Sequence, residues 1–171
     1  MNLPNTLRAP ISAGLFVFVV SMSQNVLAAA LGPGNHTVTL THGAHERSAI
    51  VHVSPAVAQK TALPMVLNFH GGGGHGANEQ EYSLMDRVAD RETFIAVYPN
   101  GTGRFGNRLL TWNAGTCCAY AVINQVDDVG FARALIDELA RHMPIDRREF
   151  TSPGCRMAPC WLTAWLPRPV I

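Results

Sequence analysis

Charge is scarce in this chain. Of 171 residues only 15% are charged, and 13 Lys and Arg nearly cancel 12 Asp and Glu, leaving a formal net charge of +1. That balance provides no electrostatic footprint for nucleic acid or an anionic membrane surface. No heptad, short repeat or low-complexity tract occurs. The four cysteines form no Cys-x-x-Cys, and no His pair at ligand spacing lies beside them, which argues against a zinc site. The longest apolar run, Ile11 to Val20, breaks into Ser21, Ser23, Gln24 and Asn25 well short of a membrane span. What is present is a composition 47% hydrophobic, enough to bury the core of one domain.

The first thirty residues have the pattern of an export signal. Arg8 supplies the positive start, Ile11 to Val20 the apolar run, and Ala28 to Ala30 the small residues of a cleavage region. The expectation is a signal peptide over 1–30, cut after Ala28 or Ala30. It implies a mature chain working in the periplasm or outside the cell, with no stable membrane anchor. Disulfides are permitted there. Cys117 and Cys118 are neighbours, and disulfide geometry wants its α-carbons well separated, so each is expected to reach a distant partner rather than the other.

Two alternating segments, "HTVTLTHG" and "ERSAIVHVS", flank Gly43 and Ala44 and predict an antiparallel hairpin. His36, His42, His45 and His52 fall in or beside it. With no carboxylate or Cys sharing their spacing, they read as strand-face and turn histidines rather than metal ligands. "MVLNFHG" is an apolar run suited to a buried strand. "NEQEYSLMDRVADRE" predicts an amphipathic helix with Asn78 as N-cap and Tyr82, Met85, Val88 and Ala89 on its apolar face. "TFIAVYPNG" is a second buried strand, and strand–helix–strand order implies a parallel pair with a right-handed crossover. After a long connection, "VDDVGFARALIDELARHM" predicts a helix with Val129, Ala132, Leu135, Ile136, Leu139 and Met143 along one face. Asp127 and Asp128 read as acids at its positive end, with a catalytic carboxylate pair as the alternative.

The most informative stretch is "HGGGGHG", His70 to Gly76, at the carboxyl end of the first parallel strand. Open α/β sheets place their ligands there. Glycine is entropically costly to order, so four in a row suggest a backbone that something must approach closely. Bare N–H groups can donate to the oxyanion that develops during acyl transfer. A phosphate loop would want Gly-Lys-Ser/Thr, or spaced glycines with an acid after the next strand, and this chain has neither. His70 and His75 lack a third ligand nearby, so a metal site ranks below the oxyanion reading.

These stretches, together with "TWNAGTCC" and the run ending in "MPIDRR", resemble the secreted poly(3-hydroxybutyrate) depolymerase, feruloyl esterase and acetyl xylan esterase group of α/β-hydrolases. The resemblance covers most of residues 31–150, in the family's order. It implies an α/β fold: the N-terminal half of an α/β-hydrolase sheet, with an antiparallel hairpin followed by parallel strands and crossover helices. It further implies a serine ester hydrolase with no metal or organic cofactor, acting on a polyester or a plant cell-wall acyl ester. His70, Gly71, Gly72 and Gly73 become the candidate oxyanion hole. Trp112 and Asn113 become candidate pocket residues, or braces of the long loop.

The pattern then stops. Such an enzyme needs a Gly-x-Ser-x-Gly elbow after the next strand, followed by an acid and a His. No Gly-x-Ser-x-Gly occurs, and from Thr151 onward there is no Asp, Glu or His. The segment 151–171 is instead punctuated by Pro153, Pro159, Pro167 and Pro169. One permissible codon choice for Thr151 to Thr163, read one frame over, spells Val-Thr-Gly-Met-Ser-Asn-Gly-Ala-Met-Leu-Ala-His, which contains the missing elbow. The expectation is therefore an out-of-frame tail that replaces the catalytic half and leaves an esterase lineage without turnover. It also implies a "MVLNFHG" strand with an unpaired inner edge, an aggregation hazard. Alternatives are a natural tail closed by Cys155–Cys160, a Cys155 nucleophile, and a non-catalytic secreted protein stacking Trp161 and Trp165 on carbohydrate.

Overall fold

The computed structural model describes residues 30–59, 61–115 and 117–151. The expected signal segment up to residue 29, the tail after Thr151, Cys155, Cys160, Trp161 and Trp165 lie outside them.

The chain opens with the expected hairpin: β1 (Gly34–His42) and β2 (His45–Val53) pair antiparallel across the two-residue turn Gly43–Ala44. Gly43 has φ +58, a conformation that favours glycine. On β2, residues 47, 49, 51 and 53 are buried in strict alternation, so the period of two also sends Arg47 inward with Ala49, Val51 and Val53. A 3-10 turn (Pro55–Gln59) leads to β3 (Leu63–Leu67). Two helices follow, α1 (Gly76–Ser83) and α2 (Met85–Glu92), then β4 (Ile95–Pro99). A short α3 (Ala119–Ile123), the long α4 (Asp128–His142) and β5 (Ile145–Thr151) complete the fold.

The five strands form one sheet in the order β1-β2-β4-β3-β5. β2 and β4 run antiparallel, while β3 lies parallel to both β4 and β5. The α/β class, the antiparallel β1–β2 hairpin and the parallel β3–β4 pair are as expected from sequence. Every residue of β4 is buried, because helices cover both faces. Ile95 and Val97 join Leu67, Phe131, Leu135 and Leu139 in the main core. Ala96 and Tyr98 face the other way and pack with Ala89 of α2. Each fully buried Leu or Ile of the main core contributes about 1.5–3 kcal/mol relative to an exposed one.

Three expectations are corrected. The helix over 78–92 is two helices: Leu84 adopts φ 55, and the Ser83 hydroxyl accepts from Met85 N–H to start α2 afresh. The N-cap of α1 is His75, whose Nδ1 accepts from Asn78 N–H, and Tyr82 is 84% exposed rather than on a buried face. Second, the inner edge of β3 is not open. β5 pairs with it through Leu63↔Ile145, Met65↔Phe150 and Val66↔Thr151, because "DRREFT" continues from α4 into an extended segment. Third, on α4 Phe131 is buried where Val129 was expected and Val129 is half-buried. Cys117 and Cys118 are joined by a cis peptide, and the other two cysteines lie outside the described residues. Among the described residues, no helix is long and apolar enough to cross a membrane.

Candidate active site

β3 ends at Leu67, but Asn68 N–H still donates to Val97 O (2.7 Å), so the chain leaves the sheet under control. Phe69 is buried edge-on against Trp112, with ring centroids 5.1 Å apart and planes at 83°. His70 is 1% exposed. Its Nε2 accepts from Gly101 N–H (3.0 Å), so the neutral ring carries its proton on Nδ1, which donates to Gly71 O (2.8 Å). Burial holds its pKa below the ordinary histidine value, the bond to Gly71 opposing and His75 and Arg47 adding to the fall. With both nitrogens engaged, His70 is a clamp between the ends of β3 and β4 rather than a base. Trp112 completes the clamp: Nε1–H donates to His70 O (3.0 Å), and the two rings lie 4.9 Å apart.

The four glycines divide by physical requirement. Gly73 has φ +83, which favours glycine, and its N–H donates to Leu110 O (2.8 Å). Gly74 N–H closes the turn on Gly71 O (3.0 Å), and a Cβ there would stand 3.2 Å from that oxygen. At Gly72 a Cβ would meet nothing within 4 Å. Among the described residues, the Gly71 and Gly72 amides donate to no protein acceptor. The expected oxyanion set therefore contracts, since Gly73 has already spent its N–H on Leu110.

Gly71 and Gly72 line a cavity of about 530 Å³ together with His70 and with Glu79, Glu81 and Tyr82 of α1. Gly76 N–H donates to Asn100 Oδ1 (2.7 Å), pinning the start of α1 to the end of β4. The sequence reading missed Glu79 and Tyr82 as lining residues. Tyr82 was taken for the core because the helical period was carried across the break at Leu84. The acids themselves were legible only as first-turn residues.

Trp112 and Asn113 do not line this cavity. Trp112 is 3% exposed beneath the turn. Asn113 is spent on the loop: its N–H donates to Asp128 Oδ2 (2.7 Å), its Nδ2 to Val126 O (3.0 Å), and its Oδ1 accepts from Gly115 N–H (3.1 Å). Both match the bracing alternative. Asp127 and Asp128 part company too. Asp127 caps α4 by accepting from Gly130 N–H (2.8 Å) and stands 3.0 Å from His42 Nε2; these contacts hold its pKa below the usual carboxylate range. Asp128 is buried against Arg47, with Nη2 to Oδ1 at 2.7 Å and both side chains at 1% exposure or less. Arg47 also donates to Asn100 O (3.0 Å) and stacks 3.9 Å over the Phe131 ring. Desolvation lowers Arg47 and raises Asp128, and their mutual attraction opposes both. The signal for this pair was in the sequence: Arg47 is in phase with the buried face of β2, and Asp128 with that of α4.

The described serines are structural. Ser48 Oγ accepts from Asn100 Nδ2, Ser54 Oγ from Ala56 N–H, and Ser83 Oγ from Met85 N–H. No group of three His, Cys, Asp or Glu among the described residues is placed to hold a metal ion.

Solved structures similar to this chain include three ester-cleaving enzymes. S-formylglutathione hydrolase FrmB from Staphylococcus aureus has a TM-score of 0.47 at 12% identity, covering 70% of this chain and 46% of that one. A ferulic acid esterase gives 0.46 at 16% identity, covering 71% and 48%. Acetyl xylan esterase from Aspergillus awamori gives 0.44 at 13% identity, covering 68% and 41%. The chain thus spans less than half the length of each of these structures. No family model and no curated protein matches it.

Proposed function

We propose that this chain carries the oxyanion-binding half of a carboxylic ester hydrolase site, in the lineage of secreted polyester depolymerases and plant cell-wall esterases, and that it lacks ester turnover of its own. The observation carrying the reading is the pair of unengaged Gly71 and Gly72 amides on a cavity at the carboxyl end of β3, held in place from below by His70 and Trp112. Two preorganised donors are what a developing oxyanion requires, and removing one such donor costs about 10²–10³ in rate where it has been measured. The resemblance of the sequence to that esterase group supports the acyl-transfer assignment. The reading of inactivity is supported by the absence of a Gly-x-Ser-x-Gly elbow from these 171 residues and by the hydrogen bonds that Ser48, Ser54 and Ser83 accept.

Two measurements on the full chain test the two halves of this reading. Titration with butyrate, a small carboxylate, is expected to shift the Gly71 and Gly72 amide resonances. Fluorophosphonate labelling and a short acyl ester assay are expected to be negative. Amides that do not move would remove the oxyanion cradle, and a labelled serine would remove the claim of inactivity.

A further inference from the structure

Two carboxyl groups are buried among the described residues, and they are treated differently. Asp128 is matched by Arg47 at 2.7 Å. Glu79, 8% exposed, has no cation paired with it among the described residues, yet it lines the same cavity as Gly71 and Gly72. Its backbone is fixed, with Glu79 N–H donating to His75 O (3.2 Å) in the first turn of α1.

We infer that Glu79 gates this cavity by charge: protonated, it lets an anionic oxygen settle on the Gly71 and Gly72 amides, and ionised, it repels that oxygen. The inference rests on the oxyanion reading of those amides and adds the rule for what they accept. Two like charges about 10 Å apart, in an effective dielectric of about 20, alter an affinity about tenfold.

The surroundings favour a neutral acid. Burial pushes the Glu79 carboxyl above its ordinary value, and the neighbouring Asn68 amide opposes that rise. Asn68 is itself 3% exposed, and burial is the larger of the two influences on Glu79. The other titratable groups around the cavity are His70 below, His75 at the N-cap, Glu81 and Tyr82 on α1, and Tyr98 on β4, whose hydroxyl feels Glu79 as a negative charge. His70 is neutral for the reasons given above. Glu81 is exposed, so solvent screens it.

The test follows the Gly71 and Gly72 amides of the full chain while butyrate, or its uncharged analogue butyramide, is titrated from about pH 5 to about pH 8. The gate predicts butyrate affinity falling as the pH rises, by up to about tenfold, while butyramide affinity stays level. Glu79→Gln should bind butyrate at least as tightly as the wild type and should lose that pH dependence. If that variant does not fold, the contrast between the two probes on the wild type carries the test alone. Level butyrate affinity in the wild type overturns the gate while leaving the cradle standing. So does a pH dependence that persists in Glu79→Gln, which would place its source outside Glu79. Amides that respond to neither probe remove the cradle and the gate together.

Discussion

Two regions meet at the carboxyl ends of β3 and β4, and they use their polar groups in opposite ways. The loop after β4 spends nearly everything internally. Asn100 serves Gly76, Ser48 and Arg47, Asn113 closes its own loop, and Arg47–Asp128 is sealed from solvent. The turn after β3 keeps two backbone donors unspent beside a cavity. The difference teaches that the free amides depend on the saturated region: His70 is held by Gly101 and Trp112, which belong to the loop. The bonds that this loop makes to His70 hold the neighbouring turn while leaving the Gly71 and Gly72 donors to the cavity.

The most severe way to break this relation is Asp128→Ala. It leaves the Arg47 guanidinium buried without its partner, and the expected loss of unfolding free energy is about 3–5 kcal/mol, measured by urea denaturation. A cost below about 1 kcal/mol would show that the sealed region does not hold the loop.

Removing the clamp comes next. His70→Asn deletes the acceptor for Gly101 and the donor to Gly71, with an expected loss of about 2 kcal/mol. It also has a pH signature. Because the folded-state pKa of His70 is depressed, the unfolded chain takes up a proton that the folded chain refuses, so stability falls as pH drops below the ordinary histidine value. His70→Asn should remove that component of the stability–pH curve, and a component that persists would show that His70 is not its source.

The smallest effects separate two adjacent glycines. Gly73→Ala must hold a side chain at φ +83, costing about 1–2 kcal/mol in thermal or urea unfolding. Gly72→Ala meets no protein atom and should change stability by less than about 0.5 kcal/mol. Its methyl stands at the cavity, however, and should weaken butyrate binding several-fold. Equal stability costs at the two positions would dissolve the distinction between a glycine needed by the fold and one needed by a ligand.

Much of the fold was legible because it is local. The hairpin followed from alternation around Gly43–Ala44, β4 from a short apolar run, and α4 from a long 3.6-residue period. The break at Leu84 was not, since a left-handed leucine between two helical turns has no signature in periodicity. The pairing of β5 with β3 was missed for a related reason: "DRREFT" is too polar to announce a strand, and its place was set by a partner distant in sequence. At the site, the glycine run pointed to a turn that lines a cavity. Which amides stay free depended on Leu110, a residue far along the chain, reaching Gly73.

By itself the sequence determined the class of fold, the hairpin, the β3 and β4 strands, the long helix α4 and the stretch of consecutive glycines, because hydrophobic period and glycine conformational freedom act over a few neighbouring residues. Tertiary structure alone decided that Arg47 meets Asp128, that Trp112 supports the turn rather than lining the cavity, and that buried Glu79 shares a cavity with Gly71 and Gly72. The physical reason is that burial and hydrogen-bond saturation belong to groups brought together by packing. Neither can be assigned to a residue until its neighbours in space are known.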